Sequence, residues 1–152
     1  MNPKILIVDD EPDIVRLLQM KLQRSGYEVV TAYCGSDAVL KAEEERPDAV
    51  LMDAMMPGMD GFTAMIRIKQ NIKPAPIVLM LTALDTYDDM KYALANGADD
   101  YVTKPFSPRD LMSRLNVALI KAGKTPPLND MLTTLSQQTS LQVETFREVY
   151  ES

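Results

Sequence analysis

The chain has 152 residues, 46% of them hydrophobic and 25% charged, with 22 acidic against 16 basic side chains and a net charge of −6. That length suits one domain with a short appendage and buries a core without disulfides, while the acidic balance argues against a general binder of phosphate backbones. The absence of histidine excludes a Ser-His-Asp triad, a His-ligated zinc and a phosphohistidine on this chain, and the single cysteine, Cys34, excludes an internal disulfide and points to a reducing compartment. Ile5 to Val8 reads as a first strand. It is too short for a signal-peptide core, and no run nears the ~18–20 apolar residues of a membrane span, so a cytoplasmic location is expected. Pro12 suits a helix first turn, with Ile14, Leu17, Leu18 and Leu22 at helical spacing and Gly26 closing the helix. Glu28 to Thr31 is a second strand, 36–46 a weaker helix stopped by Arg46-Pro47, and Ala49 to Met52 a third strand. Met56-Pro57-Gly58 is a turn. Phe62, Met65, Ile66 and Ile72 mark a third helix, Ile77 to Leu81 a fourth strand, and Met90, Ala93 and Leu94 a fourth helix ending near Asn96-Gly97. Tyr101-Val102 is a short fifth strand. Ser107-Pro108-Arg109-Asp110 resembles a capping box ahead of a helix lined by Leu111, Leu115, Ala118 and Leu119.

Five strand–helix units in succession imply an α/β fold, a parallel sheet covered by helices on both faces. Strands one, three and four are continuously apolar, as buried central strands are. Strand two alternates and strand five is brief, so both belong at edges. The expected order is 2-1-3-4-5, doubly wound and flavodoxin-like. Residues 123–152 differ in character. Gly123-Lys124-Thr125-Pro126-Pro127 reads as a linker or sharp turn. Beyond it Leu128, Leu132, Leu135, Thr139, Gln142, Phe146 and Val149 form a helical stripe with a polar middle. That stripe fits a helix packed on its own domain or frayed, and equally a dimerising or signal-passing helix.

The polar residues gather at strand ends. Asp9 and Asp10 end strand one, Asp53 ends strand three, Thr82 ends strand four and Lys104 follows strand five. In a parallel sheet these ends share one edge, where doubly wound folds bind ligands. Singly, each has a plain explanation: a helix cap, a turn acid, a loop charge, and for Tyr101 a half-buried edge aromatic. Together they place three carboxylates, a hydroxyl and an ammonium at one place. Three close carboxylates keep one of their number protonated unless a cation joins them. Mg2+ takes oxygen ligands of this kind together with a phosphate. An ionised aspartate can be the nucleophile that becomes an aspartyl phosphate.

In these segments the chain resembles the receiver domain of two-component response regulators. The resemblance rests on Ile5-Leu6-Ile7-Val8-Asp9-Asp10-Glu11, on Asp53 with Met56-Pro57-Gly58-Met59-Asp60-Gly61, on Leu81-Thr82-Ala83, on Gly97-Ala98-Asp99-Asp100-Tyr101 and on Lys104-Pro105-Phe106. It implies a receiver domain over 1–122, followed by a linker and helical extension over 123–152. It implies Asp53 as phosphoacceptor, and Asp9 and Asp10 as the acidic pair serving Mg2+, with Asp10 favoured as the direct ligand. Met55 matches the position whose backbone carbonyl binds the metal, and Lys104 the lysine that contacts the phosphate across a cis bond to Pro105. Thr82 and Tyr101 match a switch pair. It further implies a phosphorylation-activated switch in a phosphorelay, fed by a histidine kinase or histidine phosphotransfer protein, and not an enzyme acting on an outside substrate. A homodimer through helix four, strand five and helix five on phosphorylation is expected, with no direct nucleic-acid contact by this chain and no membrane. The apolar Met55 and Leu84 cannot orient a water by hydrogen bonds, so slow self-dephosphorylation is expected. A phosphatase of the haloacid dehalogenase type needs a second Asp where Met55 stands. A flavin binder of the flavodoxin kind needs a phosphate loop where the acidic Asp9-Asp10-Glu11 stands. A docking-only pseudo-receiver would not need the Asp, Thr and Lys set.

Overall fold

The computed structural model describes residues 2–83 and 87–127. Five units follow one another: β1 (Lys4–Val8), α1 (Pro12–Arg24), β2 (Glu28–Ala32), α2 (Gly35–Glu45), β3 (Ala49–Asp53), α3 (Gly61–Asn71), β4 (Ile77–Thr82), α4 (Tyr87–Ala95), β5 (Asp100–Thr103) and α5 (Pro108–Lys121). All four strand pairings are parallel and the order is β2-β1-β3-β4-β5, as the apolar patterning requires. Every residue of β3 and β4 is buried, and so is all of β1 after Lys4; β2 is exposed or partly exposed from Glu28 to Thr31, as an edge strand is, and buried only at Ala32.

Because side chains alternate across a strand, each face of the sheet collects its own core. Ile5, Ile7, Leu51, Leu79 and Leu81 point to one face and meet Val15, Leu18 and Leu22 of α1 with Leu111, Leu115 and Leu119 of α5. Leu6, Val8, Val50, Met52, Val78 and Met80 point to the other and meet Ala38, Ala42, Ala64, Met65, Ile68 and Ala93 of α2, α3 and α4. Each fully buried leucine contributes about 1.5–3 kcal/mol over an exposed one. The buried side of α2 is made of small residues, Gly35, Ala38 and Ala42, whereas α3 buries Gly61 and Ala64 beside the larger Met65 and Ile68. Tyr101 departs from the half-buried expectation. It is 5% exposed and belongs to the core cluster with Met80, Ala93 and Ala98, because α4 covers that end of the sheet.

Local chemistry sets the helix ends. Pro12 and Pro108 occupy first-turn positions of α1 and α5, where a missing N–H costs nothing. Asp60 caps α3 by accepting the Thr63 N–H at 2.8 Å, and Ser107 Oγ accepts the Asp110 N–H at 3.3 Å. Arg46 closes α2 with a positive φ of 48°.

At the N-terminal pole of the sheet, Asp48 joins three pieces of chain. Its Oδ2 accepts the Lys4 N–H at 2.8 Å and its Oδ1 accepts from Lys124 Nζ at 2.7 Å. Burial alone would raise its pKa, but Lys124 and the Lys4 N–H outweigh burial and hold it below the usual carboxylate range. Residues 123–127 thus turn at Gly123 and lie back on the domain, with Pro126 and Pro127 buried. The helical stripe expected beyond them, and Leu84, lie outside the described residues.

Candidate functional site

At the opposite pole, the C-terminal strand ends bring the expected residues together. Asp9 follows β1, is fully buried, and uses both carboxylate oxygens: Oδ1 accepts the Glu11 N–H at 2.9 Å and Oδ2 accepts from Lys104 Nζ at 2.8 Å. Asp53 ends β3, is 4% exposed, and its Oδ1 accepts the Met55 N–H at 3.2 Å. Lys104 Nζ stands 3.7 Å from that same Oδ1, so one ammonium spans two buried carboxylates. Asp10 is exposed, yet an oxygen from each of Asp9, Asp10 and Asp53 falls within 4.8 Å of the others.

The charges do not balance: three carboxylates share one ammonium. Asp53 shows the consequence. Burial, and next the Asp9 charge, push its pKa up to about 6, against the partial opposition of Lys104 and the Met55 N–H. Lys104 responds in the complementary direction. Burial alone would lower its pKa, but the Asp9 hydrogen bond and the Asp9 and Asp53 charges outweigh burial and raise it. A hard divalent cation suits such an oxygen-only, over-negative donor set, and Mg2+ is the ion whose chemistry fits a few carboxylates with room for a phosphate.

Thr82 ends β4 and is fully buried. Register places it one step past Leu81, the residue paired with Asp53, and the Lys104 N–H bonds the Thr82 carbonyl at 2.7 Å. The Lys104–Pro105 bond is cis. Tyr101 pairs with Met80, two residues before Thr82. By the period of two, Thr82, Met80 and Tyr101 share one face of the sheet, the face covered by α2, α3 and α4. Met55 is 58% exposed at the rim.

Gly61 is a contributor whose role is not readable from its letter. Its N–H bonds the Ala54 carbonyl at 3.0 Å, and a Cβ there would sit 2.0 Å from the Asp53 carbonyl oxygen and 2.8 Å from Ala54 Cα. Only glycine lets α3 start so close to the Asp53 backbone. In sequence, Asp60-Gly61 signals no more than a turn.

The chain matches the response regulator receiver domain family over residues 5–116. It is 47% identical over 131 residues to the alkaline phosphatase synthesis transcriptional regulatory protein PhoP of Bacillus subtilis (strain 168), a match covering 86% of this chain and 54% of that protein. The chain therefore spans about half the length of that relative. Among solved structures, the receiver domain of the Francisella response regulator 1452 superposes with a TM-score of 0.74 at 34% identity, covering 80% of this chain and 99% of that one. The BeF3-activated N-terminal receiver domain of Klebsiella pneumoniae RstA superposes with a TM-score of 0.71 at 33% identity, covering 76% and 97%. Sheet order, strand-end acids and these likenesses converge, and the chain belongs to the response regulator receiver domain family of two-component signalling.

Proposed function

We propose that the chain is a phosphorylation-controlled switch that accepts a phosphoryl group on Asp53 from the phosphohistidine of a histidine kinase or histidine phosphotransfer protein. The observation that carries this reading is the buried Asp53 carboxylate set among Asp9, Asp10 and Lys104. An Asp53 oxygen attacks the donor phosphorus; the new P–O bond forms as the P–N bond breaks, and the nitrogen electron pair leaves with the donor imidazole. Asp9, Asp10, Asp53 and the Met55 carbonyl would hold Mg2+, which offsets charge on the phosphoryl oxygens. Lys104 supplies positive charge beside the accepting oxygen. The added charge and acceptor oxygens give the Thr82 hydroxyl a new partner. Because Tyr101 lies on the same sheet face, a shift of Thr82 biases how its ring packs against α4 and β5.

The chain acts on itself rather than on an outside substrate, and works in the cytoplasm. Phosphorylated copies pair through α4, β5 and α5. Residues 1–122 are the receiver and 123–152 the extension. No described helix is long and apolar enough to cross a membrane. The B. subtilis relative is named a transcriptional regulatory protein and is nearly twice as long as the matched part. No DNA contact is assigned to the residues present here.

Acetyl phosphate with Mg2+ tests the reading. Intact-mass measurement should show one added phosphoryl group, absent in Asp53→Asn; a gain that persists in the variant would sink it. Met55 carries no hydrogen-bonding group to orient an attacking water, so Met55→Asn should shorten the acyl-phosphate lifetime severalfold. Unchanged decay would count against slow self-hydrolysis.

A further inference from the structure

We propose that residues 123–127 are a strap that fixes the outlet of the domain. The chain beyond Pro127 then leaves from the pole of the sheet opposite the acidic edge, not as a free tether from the end of α5. Three separate holds support this. The first is at the helix end. The Lys124 N–H bonds the Leu119 carbonyl at 2.9 Å and the Gly123 N–H bonds the Ile120 carbonyl at 3.0 Å, with Gly123 at a φ of 78°. This is the paired 6→1 and 5→2 pattern of a Schellman closure, which reverses the chain and uses up carbonyls a helix end otherwise leaves open.

The second hold is Asp48. It ties the Lys124 ammonium to the N–H of Lys4, and so ties the strap to the start of β1 as well as to β3. The ion pair is one-third exposed on each side, so on its own it is a weak clasp. The third hold is apolar. Pro126 and Pro127 are buried, and Pro127 seats over Gly26 in the turn between α1 and β2. A Cβ at Gly26 would come within 3.1 Å of the Pro127 Cβ, so the seat is shaped by the missing side chain. Asn2 Nδ2 donates to the Gly26 carbonyl at 2.7 Å and steadies the same turn. Two consecutive prolines suit such an element, because they have little backbone freedom to lose on docking.

The strap has two consequences. The first five residues of the extension, 123–127, pack as part of the receiver's folded unit. Pro127, the point from which the chain continues, sits beside the α1–β2 turn, and movement of α5 acts on the strap because α5 itself holds the Lys124 amide. Neither depends on what the acidic edge does, since no residue of the strap or of its seat belongs to it.

Amide hydrogen exchange on the full 152-residue chain tests the strap. The Gly123 and Lys124 amides, bonded to the Ile120 and Leu119 carbonyls, should exchange at least ~100-fold more slowly than in an open chain, as amides in a cooperative local unit do. The double variant Lys124→Gln, Pro127→Gly should cost these amides at least ~10-fold of that protection and leave the β3 and β4 amides as they were. Open-chain exchange of the Gly123 and Lys124 amides in the unaltered protein would overturn the proposal. So would protection that survives the double variant, or a loss spread evenly through β3 and β4, which would mean no separate strap exists.

Discussion

Lys104→Met should destabilise the metal-free protein by about 2–3 kcal/mol at pH 7.5, while leaving the fold intact below pH 5. Methionine keeps the stem packed and removes only the ammonium. Asp9 then loses the donor on Oδ2, and the Asp9–Asp53 pair loses the single cation that spans it. Stripping one partner from a fully buried ion pair costs about 3–5 kcal/mol. The Lys104 side chain keeps 17% of its exposure, so water reaches the site and the lower figure is expected. The folded pKa of Lys104 is raised, so its contribution is complete below the unfolded value of about 10.4 and is lost only above it. The pH dependence of the variant therefore comes from the carboxylates. As pH falls, Asp53 takes up a proton and the repulsion the missing ammonium left behind disappears. Urea unfolding in EDTA at pH 7.5 and pH 5 measures this directly, read as a midpoint change at constant slope. Millimolar Mg2+ should restore part of the loss at pH 7.5. A loss below about 0.5 kcal/mol at pH 7.5 would mean that the bridge is no stronger than a surface pair.

Lys104 also shows which parts of this molecule a sequence can reveal. Strand ends are legible because a parallel sheet brings all of them to one edge. Asp9, Asp53, Thr82 and Lys104 could therefore be gathered from the apolar runs alone. Sheet order was legible for a similar reason: only β1, β3 and β4 lack polar residues within their apolar runs, and only central strands tolerate that. What escaped reading depends on contacts between distant segments that leave no local period. Asp48 and Lys124 are 76 residues apart, and as separate letters they are a strand-flanking acid and a linker charge. Tyr27 and Asn116 are 89 apart, and their buried hydrogen bond explains a polar residue on the inner side of α5. Asp99 supports two elements at once, accepting the Val78 N–H at 2.8 Å and pairing with Lys69 at 2.9 Å. Gly61 and the burial of Tyr101 follow from how closely α3 and α4 approach the sheet, a packing result that no single residue announces.

Asp53→Asn should do the reverse of the lysine change and stabilise the metal-free protein, by about 1–2 kcal/mol at pH 7.5. The sign follows from Asp53's raised pKa. Asp53 has a folded pKa of about 6 and an unfolded value of about 3.9, so the folded state resists its ionisation. Its favourable contribution is complete below about pH 3.9 and is lost as pH rises through about 6. A gap of about two pKa units corresponds to about 3 kcal/mol at most, which solvent at the open site reduces by about half. Asparagine preserves shape and still accepts the Met55 N–H, so it removes the charge and little else. The gain should shrink towards zero between pH 7.5 and pH 4. It should also shrink when Mg2+ is added, because a metal held by the three carboxylates would stabilise the ionised site of the unaltered protein by mass action. Urea unfolding of both proteins in EDTA, across that pH range, provides the check. A stability gain that stays constant with pH would assign it to packing instead of charge. A variant less stable than its parent would mean that the ionised Asp53 is already balanced by Lys104 alone. On the proposed function, the same residue that is expected to make the metal-free domain less stable at neutral pH is the one that accepts the phosphoryl group. The site's excess negative charge is therefore a cost borne by the fold until a cation occupies that edge.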